Sequence, residues 1–230
     1  MQETTTFGDG SLLGGGGDMH LMVSEQSREH WDDQIGVELL QRVGLRPGNR
    51  LMDFGAGTGH YTLPAARVTT RTGMVYAVEK SRNCLNHILK NARDQGIVQI
   101  QPVLIDGGAA PAIPLQTELL DVILAYDVLH LLDNRRKIYR EFHRLLKPDG
   151  LFSIHPKHTV NDYPLGGFAE MTLSDIRQEI SGSGFRLTGY FRTYLCHDGN
   201  LEMGRIVNFR KQLTTGKSRF PSSQKTGDYS

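Results

Sequence analysis

The sequence predicts an α/β domain, a parallel sheet with helices on both faces. Three observations carry that prediction. Short apolar runs of strand length alternate with longer segments whose apolar residues recur at helical spacing. The run Leu119–Ala125 is almost wholly apolar, as a strand covered on both faces has to be. The first strand, finally, runs straight into a glycine-rich loop that opens a helix.

Taken in order, Trp31, Ile35, Leu39, Leu40 and Val43 repeat at helical spacing and stop at Gly44. Arg50–Phe54 is the first strand, with the glycine loop and a helix from about His60 behind it. Met74–Val78 is the second strand. Ser81 can then cap a helix whose inner face is Cys84, Leu85, Ile88, Leu89 and Ala92. Ile100–Ile105 and Leu119–Ala125 read as strands three and four. Ile138, Phe142, Leu145 and Leu146 mark a helix ended by Pro148 and Gly150, ahead of the strand Leu151–His155. Thr172 and Asp175 form a capping box before Ile176 and Ile180. Phe185–Phe191 and Gly204–Phe209 complete seven strands.

Composition sets the outer limits. With 38% hydrophobic residues and 26 glycines, 230 residues hold enough apolar material for one core. Residues 1–20, with the run Gly14–Gly17, read as a mobile arm, and 211–230 as a mobile polar tail; 21–210 is the folded domain. The 26 Lys and Arg nearly cancel 25 Asp and Glu, so no basic footprint for nucleic acid is present. Cys84 and Cys196 are far apart and in no CxxC pair, which points to a reducing compartment without structural zinc. The first thirty residues lack a basic-then-apolar leader, and no stretch approaches the ~18 apolar residues of a membrane span. A soluble, cytoplasmic chain is expected.

Chemistry in such a sheet belongs beyond the carboxyl ends of the strands, at the switch in strand order. The loop there reads Asp53-Phe54-Gly55-Ala56-Gly57-Thr58-Gly59-His60. Alternate glycines let backbone approach a ligand where a Cβ would collide, and the helix opening behind them attracts polar groups. A plain connector needs neither three glycines nor a flanking acid. The dinucleotide fingerprint wants glycine where His60 stands and has no use for an acid at position 53. Glu79, at the end of strand two, can bind a ribose diol, a feature both cofactor classes share. Tyr76 and Lys80 have the spacing of a dehydrogenase pair but sit on a strand, and Gly216-Lys217-Ser218 lacks the first glycine and the strand of a phosphate loop.

Leu51-Met52-Asp53-Phe54-Gly55-Ala56-Gly57-Thr58-Gly59 resembles the first motif of class I S-adenosylmethionine-dependent methyltransferases, with Leu45-Arg46-Pro47-Gly48 as its lead-in. Glu79 matches that family's ribose-binding acid, and Lys80 the position that packs along adenine. Asp106-Gly107 resembles its adenine-edge segment, followed by Ile113-Pro114-Leu115. Leu120-Asp121-Val122-Ile123 and Leu145-Leu146-Lys147-Pro148-Asp149-Gly150 are similar to its later motifs. Asp149 in place of the commoner glycine and Pro64 in the helix after the loop are departures. The resemblance covers about residues 35–210. It implies a Rossmann-like, seven-stranded, mostly parallel sheet with an antiparallel last strand, and S-adenosylmethionine as cofactor. The residues it implies at the cofactor are Asp53, Gly55, Gly57, Gly59, Glu79, Lys80, Asp106, Gly107 and Tyr126.

A methyl carried on sulfonium is already activated, so alignment can supply most of the catalysis, ~7–11 kcal/mol at best. No residue is singled out as indispensable. His130, after strand four, and His155 and His158, after strand five, could each act as a base near neutral pH. Nine histidines will place some on rim loops without purpose. No His–carboxylate pair stands at a recognisable spacing, and His155 and His158 lack a third ligand, so no metal site is expected. Cys84 reads as core, Cys196 as a loop residue, and Arg135-Arg136-Lys137 as a solvated helix face. The loop 156–171 and the segment around His20–Trp31 would roof the acceptor, with Met19, Leu21, Met22, Val23, Tyr163, Leu165 and Phe168 as lining. Trp31 either joins that lid or anchors the first helix.

The branch most resembled is the small-molecule group of quinone-biosynthesis and arsenite methyltransferases. The arsenite branch needs several cysteines, and this chain has two. A small-molecule methyl acceptor is the expected partner. A protein or RNA acceptor, or a catalytically silent S-adenosylmethionine-binding regulator, would keep the same binding motifs.

Overall fold

A computed structural model describes residues 21–22, 30–106, 112–197 and 200–213. The expected arm and most of the expected tail lie outside those residues. A two-residue strand, β1 (Leu21–Met22), is followed by a π-helical turn (Trp31–Ile35) leading into α1 (Gly36–Val43). Then come β2 (Arg50–Phe54), α2 (Thr62–Thr69), β3 (Met74–Glu79), α3 (Arg82–Asp94), β4 (Ile100–Leu104) and β5 (Leu120–Tyr126). α4 (Arg135–Leu145), β6 (Leu146–His155), α5 (Leu173–Ser181), β7 (Phe185–His197) and β8 (Asn200–Lys211) complete the chain.

The strands lie in the order β1-β8-β6-β5-β2-β3-β4, with β7 on the other edge of β8. β2 pairs parallel with β3 and β5, and β3–β4 and β5–β6 are parallel too. β8 runs antiparallel to both β6 and β7, so the last strand alone opposes the other long strands, as the resemblance implies. From β2 the chain winds out through β3 and β4, then returns to β5 on the opposite side. The switch in order therefore falls between β2 and β5, and the crevice opens past Phe54 and Tyr126.

Both faces of the sheet are covered, which explains why strand residues of either parity are apolar. Leu51 packs with Trp31, Leu40, Leu63 and Ile88 on one face, while Met52 packs with Tyr139, Phe142, Phe152 and Ile176 on the other. Ser81 and Thr172 cap α3 and α5 as expected, the latter in a complete capping box. Pro64 falls in the first turn of α2, where its missing N–H costs nothing, and it packs on Gly36. A Cβ on Gly36 would come within 2.8 Å of Pro64 Cγ, so that glycine sets how closely α1 and α2 approach.

Several expectations need correction. β6 begins at Leu146 and takes in the Lys147–Gly150 turn, because Asp149 accepts a left-handed backbone (φ 57°) that a short polar side chain tolerates. β7 and β8 extend well past the apolar runs that flagged them. β7 alternates exposed and half-buried residues from Arg186 to Tyr194, and the outer part of β8 is mostly half-buried, so cross-strand pairing sustains them with little apolar signal. Cys196 is consequently a buried strand residue, while Cys84 is only half-buried on α3. Arg135 is not solvated. It forms a two-pronged pair with Glu179 at 2.9 and 3.1 Å and lies over the Phe168 ring. Lys211, placed at the start of the tail, ends β8 with its ammonium on the Leu146 carbonyl at 2.7 Å.

Candidate active site

The glycine loop fills the β2 side of the crevice. Gly55, Gly57 and Gly59 all have positive φ (77°, 51° and 94°), so each is conformationally required. Their surroundings differ. A Cβ on Gly55 would run into the Val128 side chain, and one on Gly59 would meet Ile88 Cγ1 at 2.8 Å. A Cβ on Gly57 would meet nothing nearer than the Gly55 carbonyl at 4.0 Å. Protein packing therefore accounts for two of the glycines. Gly57 alone faces open space, a cradle that a side chain would fill.

Glu79 at the end of β3 braces this loop. Its carboxylate accepts hydrogen bonds from the Gly57 N–H at 3.0 Å, Lys80 N–H at 2.9 Å and Ser81 N–H at 3.0 Å. Asp53, beneath the loop, is buried and accepts a 2.6 Å hydrogen bond from Thr62 Oγ1. Burial pushes its carboxyl up to about 6, with Glu79 adding to the rise and the Thr62 hydrogen bond opposing it. Lys80 and Asp106 are exposed just past the ends of β3 and β4, at the carboxyl edge of the sheet. Gly107 lies outside the described residues. Tyr126 is in the core: its hydroxyl pairs with Ser153 at 2.8 Å, and its ring meets Tyr61 edge-on at 4.7 Å. Any contribution to a ligand would come from its ring and not its hydroxyl.

Across the crevice, the structure joins residues that no spacing connects. Asp127, directly after β5, stands in a left-handed conformation (φ 53°). Its carboxylate is hydrogen-bonded to His197 Nδ1 at the tip of the β7–β8 hairpin, and faces His158 Nε2 at 3.5 Å and His130 Nδ1 at 3.6 Å. The His130 and His158 rings are 4.4 Å apart. His155 is buried; its Nδ1 donates to the Arg205 carbonyl at 3.1 Å, leaving Nε2 buried without a hydrogen-bond partner. Burial tends to raise the Asp127 carboxyl, but the His197 hydrogen bond and the surrounding imidazoles outweigh it and hold it below the ordinary range. Burial lowers His130 and His155 alike, keeping both neutral more readily.

The three histidines singled out in the sequence thus do converge. Asp127 and His197 were missed, because nothing in the sequence pairs the tip of a hairpin with the end of a distant strand. The structure supplies the carboxylate pairings that the spacing lacked, and it gathers His158 with Asp127 and His197, not with His155. Of the expected acceptor lining, Phe168 is core, Tyr163 and Leu165 are exposed, and Leu21 and Met22 form β1 on β8. Met19 and Val23 lie outside the described residues. Trp31 anchors: it is 1% exposed, and its indole N–H donates to the His60 carbonyl at 2.7 Å.

Residues 52–154 match the family described as a methyltransferase domain. Among curated proteins, a ubiquinone/menaquinone biosynthesis C-methyltransferase (UbiE) of Vibrio parahaemolyticus is 32% identical over 108 residues, 46% of this chain and 40% of that one. A probable cobalt-precorrin-6B C(15)-methyltransferase of Saccharolobus solfataricus is 28% identical over 81 residues, 35% of this chain and 40% of that one. The matched segment thus spans well under half of either relative. Among solved structures, a SAM-dependent methyltransferase from Aquifex aeolicus shares the fold, with a TM-score of 0.62, 18% identity, and coverage of 80% of this chain and 93% of that one. Residues 52–154 thus resemble a methyltransferase domain, within a fold shared with a SAM-dependent methyltransferase of known structure. Among the described residues, no helix is long and apolar enough to cross a membrane.

Proposed function

We propose that this chain transfers a methyl group from S-adenosylmethionine to a small-molecule acceptor. The observation that carries the reading is the glycine loop, whose one unexplained glycine opens on a cradle beside the ribose-type acid Glu79. The cofactor supplies an activated methyl on sulfonium. Asp53, Gly55, Gly57, Gly59, Glu79, Lys80, Asp106 and Gly107 would hold it, with Tyr126 in support from the core. Similarity to enzymes whose names give small molecules as their business, quinone and cobalt-precorrin biosynthesis, supports the acceptor class.

The acceptor's place is a cleft of about 550 Å³ between the loop after β6 and the β7–β8 hairpin, lined by His155, Lys157, Tyr163, Tyr194 and Arg205. Clefts of this size suit small ligands. Neither Cys84 nor Cys196 is in a disulfide, which supports a cytoplasmic setting.

Calorimetric titration tests the cofactor. S-adenosylhomocysteine should bind more tightly than NAD(H), and the reverse order would end this reading. Glu79→Ala removes a charged acceptor and unties the Gly57 N–H. Hydrogen bonds to charged groups contribute about 1.5–3 kcal/mol each, so cofactor affinity should fall at least roughly tenfold in a folded variant.

A further inference from the structure

We propose that Asp127, His158 and His197 bind one divalent ion of the zinc type, with an open coordination position for a small molecule. Two imidazoles and a carboxylate suit zinc and its first-row neighbours, and three protein ligands leave a fourth position for a small molecule. One ligand atom from each of the three residues lies within 4.8 Å of the other two, and ion binding would release to solvent the proton that His197 now gives to Asp127. The 3.5 Å between His158 Nε2 and Asp127 Oδ1 is long for a hydrogen bond. It does suit two ligands each about 2.1 Å from a shared tetrahedral ion, which stand ~3.4 Å apart.

Proton placement points the same way. His158 Nδ1 lies 2.9 Å from the Tyr163 carbonyl, which can only accept, so Nδ1 carries a hydrogen, and in the neutral imidazole Nε2 then presents its lone pair toward Asp127. Asp127 Oδ1, the atom it faces, is buried and accepts no hydrogen bond. Two lone-pair atoms turned on each other in a half-buried site want a cation between them. A histidine that gives its other N–H to a backbone carbonyl is also how proteins orient metal-binding imidazoles. Asp127, His158 and Tyr163 all hold left-handed backbones (φ 53°, 65° and 42°), so local strain is concentrated on the groups that set this geometry.

The site stands beside the cofactor loop, since Val128, next to Asp127, packs against Gly55. An ion there would take an acceptor bearing a hydroxyl or thiol, binding the heteroatom while its proton passes to solvent. That acceptor role rests on the methyl-transfer reading. Ion binding itself does not.

The experiment uses the full chain, without a polyhistidine tag and stripped with chelator, titrated with Co²⁺ and Zn²⁺ in the absence of cofactor. One ion per chain is expected, with the intense visible bands of tetrahedral Co²⁺, bleached when Zn²⁺ displaces it. His158→Asn and His197→Asn should each weaken binding by at least roughly tenfold, while His87→Asn on α3 leaves it unchanged. Circular dichroism confirms folding, and His197→Gln stands in if His197→Asn fails to fold. Binding of S-adenosylhomocysteine, measured on the same variants, should be unaffected, which separates this site from the cofactor reading. Acetohydroxamate, a small oxygen ligand, should shift the Co²⁺ bands by taking the open position. No stoichiometric binding, or binding indifferent to both His158 and His197 substitutions, would overturn the ion site. A spectrum unmoved by acetohydroxamate would overturn the open position.

Discussion

Gly57→Val should abolish S-adenosylhomocysteine binding and turnover while the protein stays folded. The three glycines of the loop separate the two possible reasons for a glycine. At Gly55 and Gly59 the missing side chain makes room for Val128 and Ile88, so substitution there should cost stability first. At Gly57 the space is open, and only the left-handed backbone (φ 51°) resists a side chain within the protein itself. That strain is on the order of 1–2 kcal/mol, small beside typical domain stability. A valine, however, would fill the cradle and displace the N–H that Glu79 holds. Calorimetry for binding and denaturant melts for folding, run on Gly57→Val beside Gly59→Ala, decide the matter. Retained cofactor affinity in Gly57→Val would move the binding site elsewhere.

Asp53→Asn should produce a protein that is more stable and binds its cofactor worse. The Asp53 carboxyl is pushed up to about 6 from an ordinary 3.8, chiefly by burial. Between those values the folded state holds a proton that the unfolded chain has already lost. Stability from this group is therefore greatest below pH 3.8, declines as pH rises through about 6, and stays low above it. The penalty at pH 8 is on the order of 3 kcal/mol. Asparagine is the same size, can still accept from Thr62, and carries no charge to desolvate. Denaturant melts should show the variant more stable than the parent at pH 8 and equal to it near pH 4. Its affinity for a cofactor bearing a sulfonium and an ammonium should drop, because a nearby negative charge is gone. A variant less stable than the parent at pH 8 would show that Asp53 is held charged by a partner other than Thr62.

The glycine loop and the acid that braces it were legible because one continuous stretch builds them. Asp53 to Gly59 fixes strand end, turn and helix start within a few residues, and Glu79 closes the next strand, so local rules suffice. The cluster around Asp127 is assembled from three separate returns of the chain. Asp127 follows β5, His158 follows β6, and His197 arrives on a hairpin whose outer half has no apolar periodicity to announce it. Which histidine meets which carboxylate depends on the β7–β8 register and on left-handed turns at Asp127 and His158, and neither is written in residue spacing. Arg135 was misjudged for a related reason. Its partner Glu179 is brought by α5, a helix whose place against α4 only the folded sheet defines.

Trp31 is the sole tryptophan of the chain, sealed from water and hydrogen-bonded to the residue that closes the glycine loop. The protein thereby contains its own optical reporter. Intrinsic emission excited at the indole comes from a single place, one bond from the loop, with no second tryptophan to dilute the signal. A ligand that seats in the loop should shift this emission, a signal open to stopped-flow measurement on unlabelled protein.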